Sequence, residues 1–378
     1  MSPKAPGVGY RLPVTLGNHF SIVLRNRRME DKAMQIPEKA MRFIRSRAFL
    51  LTILLVLMIA FFWYFSPNNS YLRITNIVSI LNSMVLFMTF AVAVSFPILL
   101  GEFDLSPGYI GTAAGAVLAT ILYETGIPWF VAVIVCLIMG IVFGLINALL
   151  INKFLIQSFI ATLAVGSFIA RGISLIVPSG RTLRIDHPVF DWIGDTRIWG
   201  IVPVTVVMSL IVIIVYGIIL SRTDFGRSIY LCGGNRQAAR LAGLNPKRLS
   251  YIVFANSGML GALAGVLLAA RIKTGNLDGT NAYAFPTVTA AIFGGISFGG
   301  GSGSMLGCFL GLLVLCSFQN GLQIMRFSPH WQSIAAGALL LLALSLDYIS
   351  RRRTMKLEVK KMSKTTEKGA LGAQMDRE

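Results

Sequence analysis

Residues 48–65 read AFLLTILLVLMIAFFWYF, and this unbroken apolar stretch decides the fold class. A transmembrane helix needs about 20 mostly apolar residues. Trp63, Tyr64 and Phe65 at the end of the stretch are typical of an aromatic belt at a membrane interface. The segment before the stretch is too long and too charged for the start of a signal peptide, and no small-residue cleavage site follows. We therefore expect a retained first span.

Nine further apolar runs follow the first span. They lie at about 77–100, 109–123, 127–150, 155–177, 200–220, 251–270, 286–298, 304–319 and 330–347. The pattern predicts an all-α, polytopic transmembrane helical bundle of about ten spans. Two of the runs, 109–123 and 286–298, are short and glycine-rich, so either is compatible with a broken or re-entrant helix.

The composition agrees with a membrane protein and excludes several other classes. Of the 378 residues, 55% are hydrophobic and 13% are charged, whereas about a quarter of a soluble chain is charged. The mean hydropathy is +0.71. Four cysteines without a Cys-x-x-Cys pair do not make a disulfide scaffold. Because Cys136, Cys308 and Cys316 lie in apolar runs, we expect them to be reduced.

The net charge of +18 is concentrated at the ends and in one loop. Segments 1–47, 221–250 and 348–378 hold 25 of the 34 Lys and Arg residues against eight acidic residues. This distribution follows the positive-inside rule and does not favour nucleic-acid binding. It predicts a basic cytoplasmic N-terminal extension at 1–47, a transmembrane domain at 48–347 with a cytoplasmic loop at 221–250, and a basic cytoplasmic tail at 348–378.

Glycines recur at a spacing of four residues in several runs. The pairs are Gly111/Gly115, Gly140/Gly144, Gly261/Gly265 and Gly307/Gly311. Small residues at this spacing let membrane helices approach closely, so the pattern favours tight packing of the bundle.

The sequence motifs do not favour an enzyme or a nucleotide-binding protein. No G-x-x-x-x-G-K-[ST] sequence occurs, so an ATP-driven function would need an ATPase on another chain. The three histidines are far apart, and no H-E-x-x-H sequence suggests a metal site. The order G-x-S-x-G occurs at Gly295–Gly299, but no strand pattern precedes this glycine-rich segment as a nucleophile elbow requires, so an intramembrane hydrolase is not favoured. We expect no cofactor on this chain.

The segment GEFDLSPG at 101–108 places Glu102 and Asp104 between two apolar runs. An ionisable group at membrane depth indicates function, because burying it is costly. Alternatively, Asp104 caps the next helix from a surface loop by accepting hydrogen bonds from Ser106 or its neighbours. Both interpretations hold if the helix is interrupted inside the bundle.

A second segment, 223–244, predicts a short helix in the basic loop. Asn235 after two glycines is a candidate N-cap, and Gly243 is a natural stop. Between them lie Ala238 and Ala239, whose small side chains would let a partner pack closely against the helix. The alternative of an interfacial helix on lipid is disfavoured because large apolar residues are few. A docking site for a protein partner is the better interpretation.

A third, glycine-rich segment at 294–304 predicts a hinge between membrane segments.

Four motifs in order resemble the permease subunits of the ribose/galactose/xylose class of bacterial ABC importers, which are related more distantly to branched-chain amino-acid permeases. The motifs cover about 75–347, and they are Gly101–Gly108, Thr223–Arg227 with Gly233–Leu244, Gly294–Gly303, and Asn320–Leu322 with Ser328–Gln332. The chain departs from the family where Glu102-Phe103 replaces Gly-Ile and Pro107 replaces Val.

The resemblance implies an inner-membrane permease for a monosaccharide or related small polyol, with both termini cytoplasmic. It implies as partners an ATP-binding subunit that uses the ATP, a second permease copy or paralogue, an extracytoplasmic sugar-binding protein and membrane lipid. A secondary transporter or channel for a small polar solute is the alternative. The residues expected to couple to the ATPase are Asn235, Ala238, Ala239, Arg240, Leu241 and Gly243. Those expected on the substrate path are Asp104, Ser106 and Asn320.

Overall fold

The computed structural model describes residues 47–328, together with 330, 331, 334, 337, 338, 341 and 345. The predicted N-terminal extension apart from Arg47, the tail at 348–378 and most of the run at 330–347 lie outside these residues. Contacts divide the chain into the units Met1–Leu50 and Leu51–Glu378, and the architecture below is that of the second unit.

The described part is a helical bundle. Its first half contains α1 (Arg47–Phe65), a 3-10 helix (Pro67–Leu72), α2 (Ile74–Leu99), α3 (Ser106–Glu124), α4 (Trp129–Asn152), α5 (Ser158–Ala164), a π-helical segment (Val165–Ala170) and α6 (Arg171–Ile176). Its second half contains α7 (Pro188–Asp195), α8 (Val204–Arg222), α9 (Asp224–Gly234), α10 (Arg236–Leu241), α11 (Pro246–Ile272), a 3-10 helix (Asn281–Tyr283), α12 (Ala284–Phe293) and α13 (Met305–Ile324).

Four two-residue strands complete the described elements. β1 (Leu183–Arg184) pairs antiparallel with β4 (Thr274–Gly275), with Leu183 opposite Gly275. β2 (Arg197–Ile198) pairs antiparallel with β3 (Val202–Pro203). Since β4 directly follows α11, the β1–β4 pair marks one end of the bundle, which we call the strand end.

Within the described residues, seven helical segments are long and apolar enough to cross a membrane: α1, α2, α4, the unit α5–α6, α8, α11 and α13. The prediction of about ten spans is therefore not confirmed. The run at 286–298 forms α12, which has only ten residues. Such a helix is about 15 Å long, half of the hydrocarbon core. The run at 109–123 forms the 19-residue α3, whose many Gly, Ala and Thr residues make it less apolar than the seven.

Helix α11 lies at the centre and packs against α2, α3 and α4. The predicted glycine faces produce this packing. A Cβ atom added at Gly265 would lie 1.9 Å from the carbonyl oxygen of Gly111, and one added at Gly258 would lie 2.0 Å from that of Gly140. The interpretation of the Gly pairs as close-packing faces is confirmed, because no larger residue fits at these crossings.

The other end of the bundle carries α10, and we call it the α10 end. The end of α2 and the start of α13 lie here, since Leu99 O accepts a hydrogen bond of 2.9 Å from Gly301 N. The Tyr230 hydroxyl in α9 donates to Gly303 O at 2.7 Å. The glycine-rich segment thus ties the loop that bears α10 to the bundle. At the strand end, the Tyr71 hydroxyl donates to Ser317 O at 3.0 Å.

Candidate functional site

Helix α10 begins and ends as its residues predict. Asn235 Oδ1 accepts hydrogen bonds of 3.0 Å from the amides of Gln237 and Ala238, so the N-cap is confirmed. Gly243 adopts a φ of +83°, a conformation that favours glycine and ends the helix. The helix has six residues. Because so short a helix is unstable alone in water, it depends on the caps at its two ends.

The face of α10 that is available to a partner differs from the predicted one. Ala239 is only 4% exposed and packs into the core of the bundle. Leu241 is 91% exposed, and Ala238 and Arg240 are exposed beside it. The expectation that Ala239 provides outer docking surface is therefore wrong. A helix that lies on a bundle must turn one side inward, and the small Ala239 side chain is the one that fits against it.

An ion pair and a hydrogen-bond chain anchor α10. Arg236 pairs with Glu102, a buried residue in the turn between α2 and α3. Glu102 Oε2 accepts a hydrogen bond of 2.9 Å from the Ser250 hydroxyl in α11, and Asn152 Nδ2 in α4 donates to the same hydroxyl oxygen at 2.9 Å. The family departure at Glu102 thus connects α10 to three elements of the bundle. Sequence reasoning missed this role, because its partners are distant along the chain.

Asp104 lies in a buried polar cluster between helices. It is 1% exposed, so the prediction that Asp104 caps the helix from a surface loop is wrong in placing the residue at the surface. Its Oδ1 atom accepts hydrogen bonds from Ser106 N at 2.9 Å and from Ser106 Oγ at 2.6 Å, so it does serve the first turn of α3. Asn147 Nδ2 in α4 donates to Ser106 Oγ at 2.8 Å. The structure thereby brings Asp104 and Ser106 together and adds Asn147.

Part of this cluster is left unsatisfied. Asp104 Oδ2, Asn147 Oδ1 and Ser257 Oγ are buried and form no hydrogen bond of regular geometry among the described residues, although the Ser257 hydroxyl lies near the Asp104 carboxyl group. Buried polar atoms are normally paired, so unpaired ones indicate strain or a role beyond packing. Nowhere among the described residues does a group of three or more His, Cys, Asp or Glu side chains lie together so that it could hold a metal ion. The cluster can therefore offer hydrogen bonds and one carboxyl group.

Asn320 lies at the strand end, away from the Asp104 cluster. It is 7% exposed and lines a polar cleft of about 470 Å³ between α2, α11 and α13. The other polar side chains that line the cleft are Asn76, Ser79, Asn82, Ser83, Arg271 and Gln323. The predicted path residues therefore fall into two groups at different depths. The serines and amides of α2 carry no recognisable motif, so sequence reasoning missed them.

Arg171, the first residue of α6, contacts a loop at the strand end. It pairs with Asp278, and its Nη1 atom also donates to Leu277 O at 2.9 Å. The hydrogen bond and charge of Arg171 hold the pKa of the Asp278 carboxyl below its usual value. These contacts fasten the loop after β4 to α6.

Comparison with known proteins identifies the family. The family described as branched-chain amino acid transport system / permease component matches residues 76–344. The ribose import permease protein RbsC of Haemophilus influenzae is 31% identical over 308 residues, which cover 80% of this chain and 93% of that protein. RbsC of Escherichia coli K12 is 32% identical, over 78% of this chain and 92% of the relative.

A more distant relative extends the comparison to a second pentose. The xylose transport system permease protein XylH of Escherichia coli K12 is 28% identical, over 79% of this chain and 91% of XylH. No solved structure matches the chain significantly. The family match covers most of the chain and all seven apolar segments except α1. The chain therefore belongs to the branched-chain amino acid transport system / permease component family, as the order of its motifs indicates.

Proposed function

We propose that this chain is the membrane-spanning permease subunit of an ATP-driven importer that moves a monosaccharide or related small polyol. The observation that carries the proposal is α10, a short helix capped at both ends, anchored to the bundle through Arg236 and Glu102 and exposed at Leu241. Such a helix is suited to transmit movement between a partner and the bundle, because it is held firmly on one side only.

The energy for transport would enter at the exposed face of α10. The chain has no nucleotide-binding motif, so ATP hydrolysis belongs to a partner subunit. An almost fully exposed leucine beside Ala238 and Arg240 provides an apolar anchor with a basic rim, which is typical of protein interfaces. Leu241, and not the inward-packed Ala239, is therefore the proposed central contact with the ATPase subunit.

The orientation follows from charge. The loop 221–250, which contains α10, has six basic residues and one acidic residue, so it lies in the cytoplasm under the positive-inside rule. The α10 end is then cytoplasmic and the strand end faces outward. Both basic termini are placed in the cytoplasm by the same rule. The proposed location is the bacterial inner membrane.

The cargo and the remaining partners are inferred from the relatives. Two relatives are named as ribose import permeases and one as a xylose permease. A pentose, a hexose or a similar polyol is therefore the proposed cargo. The complete importer would contain a second permease copy or a paralogue, an ATP-binding subunit and an extracytoplasmic sugar-binding protein. Energy coupling rests on α10, whereas the identity of the sugar rests on the relatives.

Reconstitution tests the proposal against its alternative. The permease is placed in vesicles with and without the ATP-binding subunit, and uptake of radiolabelled D-ribose and D-xylose is measured with the binding protein present. We expect uptake only with the ATPase and ATP. Uptake that needs no ATPase and follows an imposed ion gradient would contradict the proposal and support a secondary transporter, and passive equilibration would support a channel.

A further inference from the structure

The polar cleft at the strand end has the size and position of a ligand site. Its volume of about 470 Å³ falls within the range of about 300–1,000 Å³ that is usual for small-molecule pockets. It lies between the start of α2 and the ends of α11 and α13. These three helix ends meet at the face that the proposed orientation directs outward.

Among the described residues, the lining has one charged group and six neutral polar groups. The charged group is Arg271, whose Nη1 atom donates to the carbonyl oxygen of Asn82 at 2.8 Å. The neutral groups are four carboxamides and two hydroxyls: Asn76, Asn82, Asn320, Gln323, Ser79 and Ser83. No carboxylate is among the described residues that line the cleft. A carboxamide both donates and accepts, and it therefore matches the hydroxyl groups of a neutral polyol.

Several of these groups are free to bind a ligand. The Ser79 and Ser83 hydroxyls donate to carbonyl oxygens one turn earlier in α2, at 3.0 Å each, which leaves their oxygen atoms as acceptors. The Gln323 side chain is exposed, and Asn82 is half-buried. Asn320 lines the cleft on the α13 side.

The cleft does not continue openly into the bundle. Phe87 lies one turn after Ser83 on the same face of α2, and its ring packs edge-on against Tyr283 with the ring centroids 5.0 Å apart. Phe90, one turn further, stacks on the same tyrosine. An aromatic layer thus follows the polar lining toward the centre of the bundle.

We propose that this cleft is the outer site at which the permease first binds a neutral monosaccharide, before the sugar passes the Phe87–Tyr283 layer. The inference rests on the proposed function and names the binding residues for it. Asn82 and Gln323 contribute hydrogen bonds to the sugar hydroxyls, and Arg271 holds the α2 side of the cleft in place through Asn82.

Protection from chemical modification tests occupancy directly. The four native cysteines are all buried, so a hydrophilic maleimide reacts mainly with an introduced thiol. Gln323→Cys is compared with Thr75→Cys, an exposed position on α2 that does not line the cleft. Both are measured in vesicles that contain the ATPase subunit, with D-ribose, D-xylose or D-gluconate added.

We expect either neutral sugar to lower the rate of modification of Gln323→Cys. The factor is one plus the ratio of the sugar concentration to its Kd, which is about elevenfold at ten times the Kd. Thr75→Cys should be unaffected. Equal rates with and without ribose or xylose, in a complex that transports that sugar, would overturn the inference. Protection by gluconate but by neither neutral sugar would also overturn it.

Uptake by leucine variants provides the second measurement. Asn82→Leu and Gln323→Leu keep side-chain bulk but remove a hydrogen bond, and each should lower the uptake rate about two- to tenfold. Thr75→Leu should transport like the wild type, and all three should retain the ATPase subunit. Unchanged uptake by both cleft variants would overturn the inference. By contrast, uptake by the wild type that needs no ATPase and follows an imposed ion gradient would contradict the proposed function itself.

Discussion

Arg236, the first residue of α10, forms an ion pair with Glu102, which is buried in the turn between α2 and α3. Glu102 stands two residues before Asp104 in the chain. The pair therefore connects the element proposed to bind the ATPase with the turn that leads into the buried polar cluster. A displacement of α10 would change the position of that turn through a single charged contact.

The two residues of this pair should differ in their effect on stability. Arg236→Gln leaves the Glu102 carboxylate buried without its cation, and we expect a loss of about 2–3 kcal/mol in the free energy of unfolding. Glu102→Gln leaves only the partly exposed Arg236, which water can solvate, and we expect a loss of about 1 kcal/mol. Thermal unfolding of the detergent-solubilised protein measures both.

The matched control for the ion pair is Arg240→Gln, which removes an exposed positive charge from the same helix. Its unfolding should be unchanged. If Glu102→Gln destabilises the protein as much as Arg236→Gln does, or if the double variant is no better than Arg236→Gln alone, the buried carboxylate is not the reason for the loss.

Leu241→Glu and Ala239→Glu should separate docking from folding. Leu241→Glu places a charge on the exposed face, so the permease should insert and unfold normally but lose its ATPase subunit on purification. Ala239→Glu places a charge in the packed core, so its unfolding temperature and abundance should fall. Co-purification with the ATPase and unfolding of the solubilised protein are measured for both variants. Normal ATPase retention by Leu241→Glu would exclude this face as the docking surface.

Asp104→Asn tests whether the buried cluster needs a carboxyl group. Asparagine keeps the Oδ1 acceptor for Ser106, and its amide can donate to a neighbouring unpaired oxygen, so stability should change little. We nevertheless expect uptake to fall substantially at normal membrane abundance, because the chemistry of a buried ionisable group is lost. Full uptake by Asp104→Asn would show that Asp104 serves only the first turn of α3.

Gly144→Ala should destabilise the bundle by about 1–3 kcal/mol or more. The added Cβ would lie 2.0 Å from Phe254 O, so α4 and α11 would have to separate. Gly172→Ala in α6 is the control, because no atom of the described residues lies within 4 Å of the added Cβ. It should be neutral or slightly stabilising. Equal unfolding temperatures for the two variants would contradict the close crossing of α4 and α11.

The Arg171–Asp278 pair should give a pH-dependent contribution at acid pH. Because Arg171 lowers the pKa of Asp278, the pair stabilises the folded state above the unfolded pKa of about 3.9 and this contribution is lost as the pH falls through the lowered folded value. The Asp278 side chain is largely exposed, so the pair contributes about 1 kcal/mol at most. The unfolding temperatures of wild type and Asp278→Asn, which keeps the bond from Arg171 to Leu277 O, should differ at pH 6 and converge in strong acid. A difference that persists there would contradict an ionic origin.

Local signals in the sequence were sufficient for much of this description. Apolar runs of about 20 residues can only be satisfied as membrane helices, because the backbone must bond to itself in lipid. The cap at Asn235 and the stop at Gly243 depend on neighbours within a few residues, and both are confirmed. The order of motifs, similarly a property of the chain alone, was enough to indicate the family.

Contacts between distant segments could be decided only by the tertiary structure. Which side of α10 faces the bundle depends on α9 and α11, so the sequence could not tell that Ala239 is buried and Leu241 exposed. Glu102 and Arg236 are 134 positions apart, and Asn147 reaches the Ser106 hydroxyl only because α4 packs against α3. The polar cleft joins three helix ends that share no sequence pattern. Periodicity and capping act within a turn or two of chain, whereas burial and pairing are set by whatever element packs alongside.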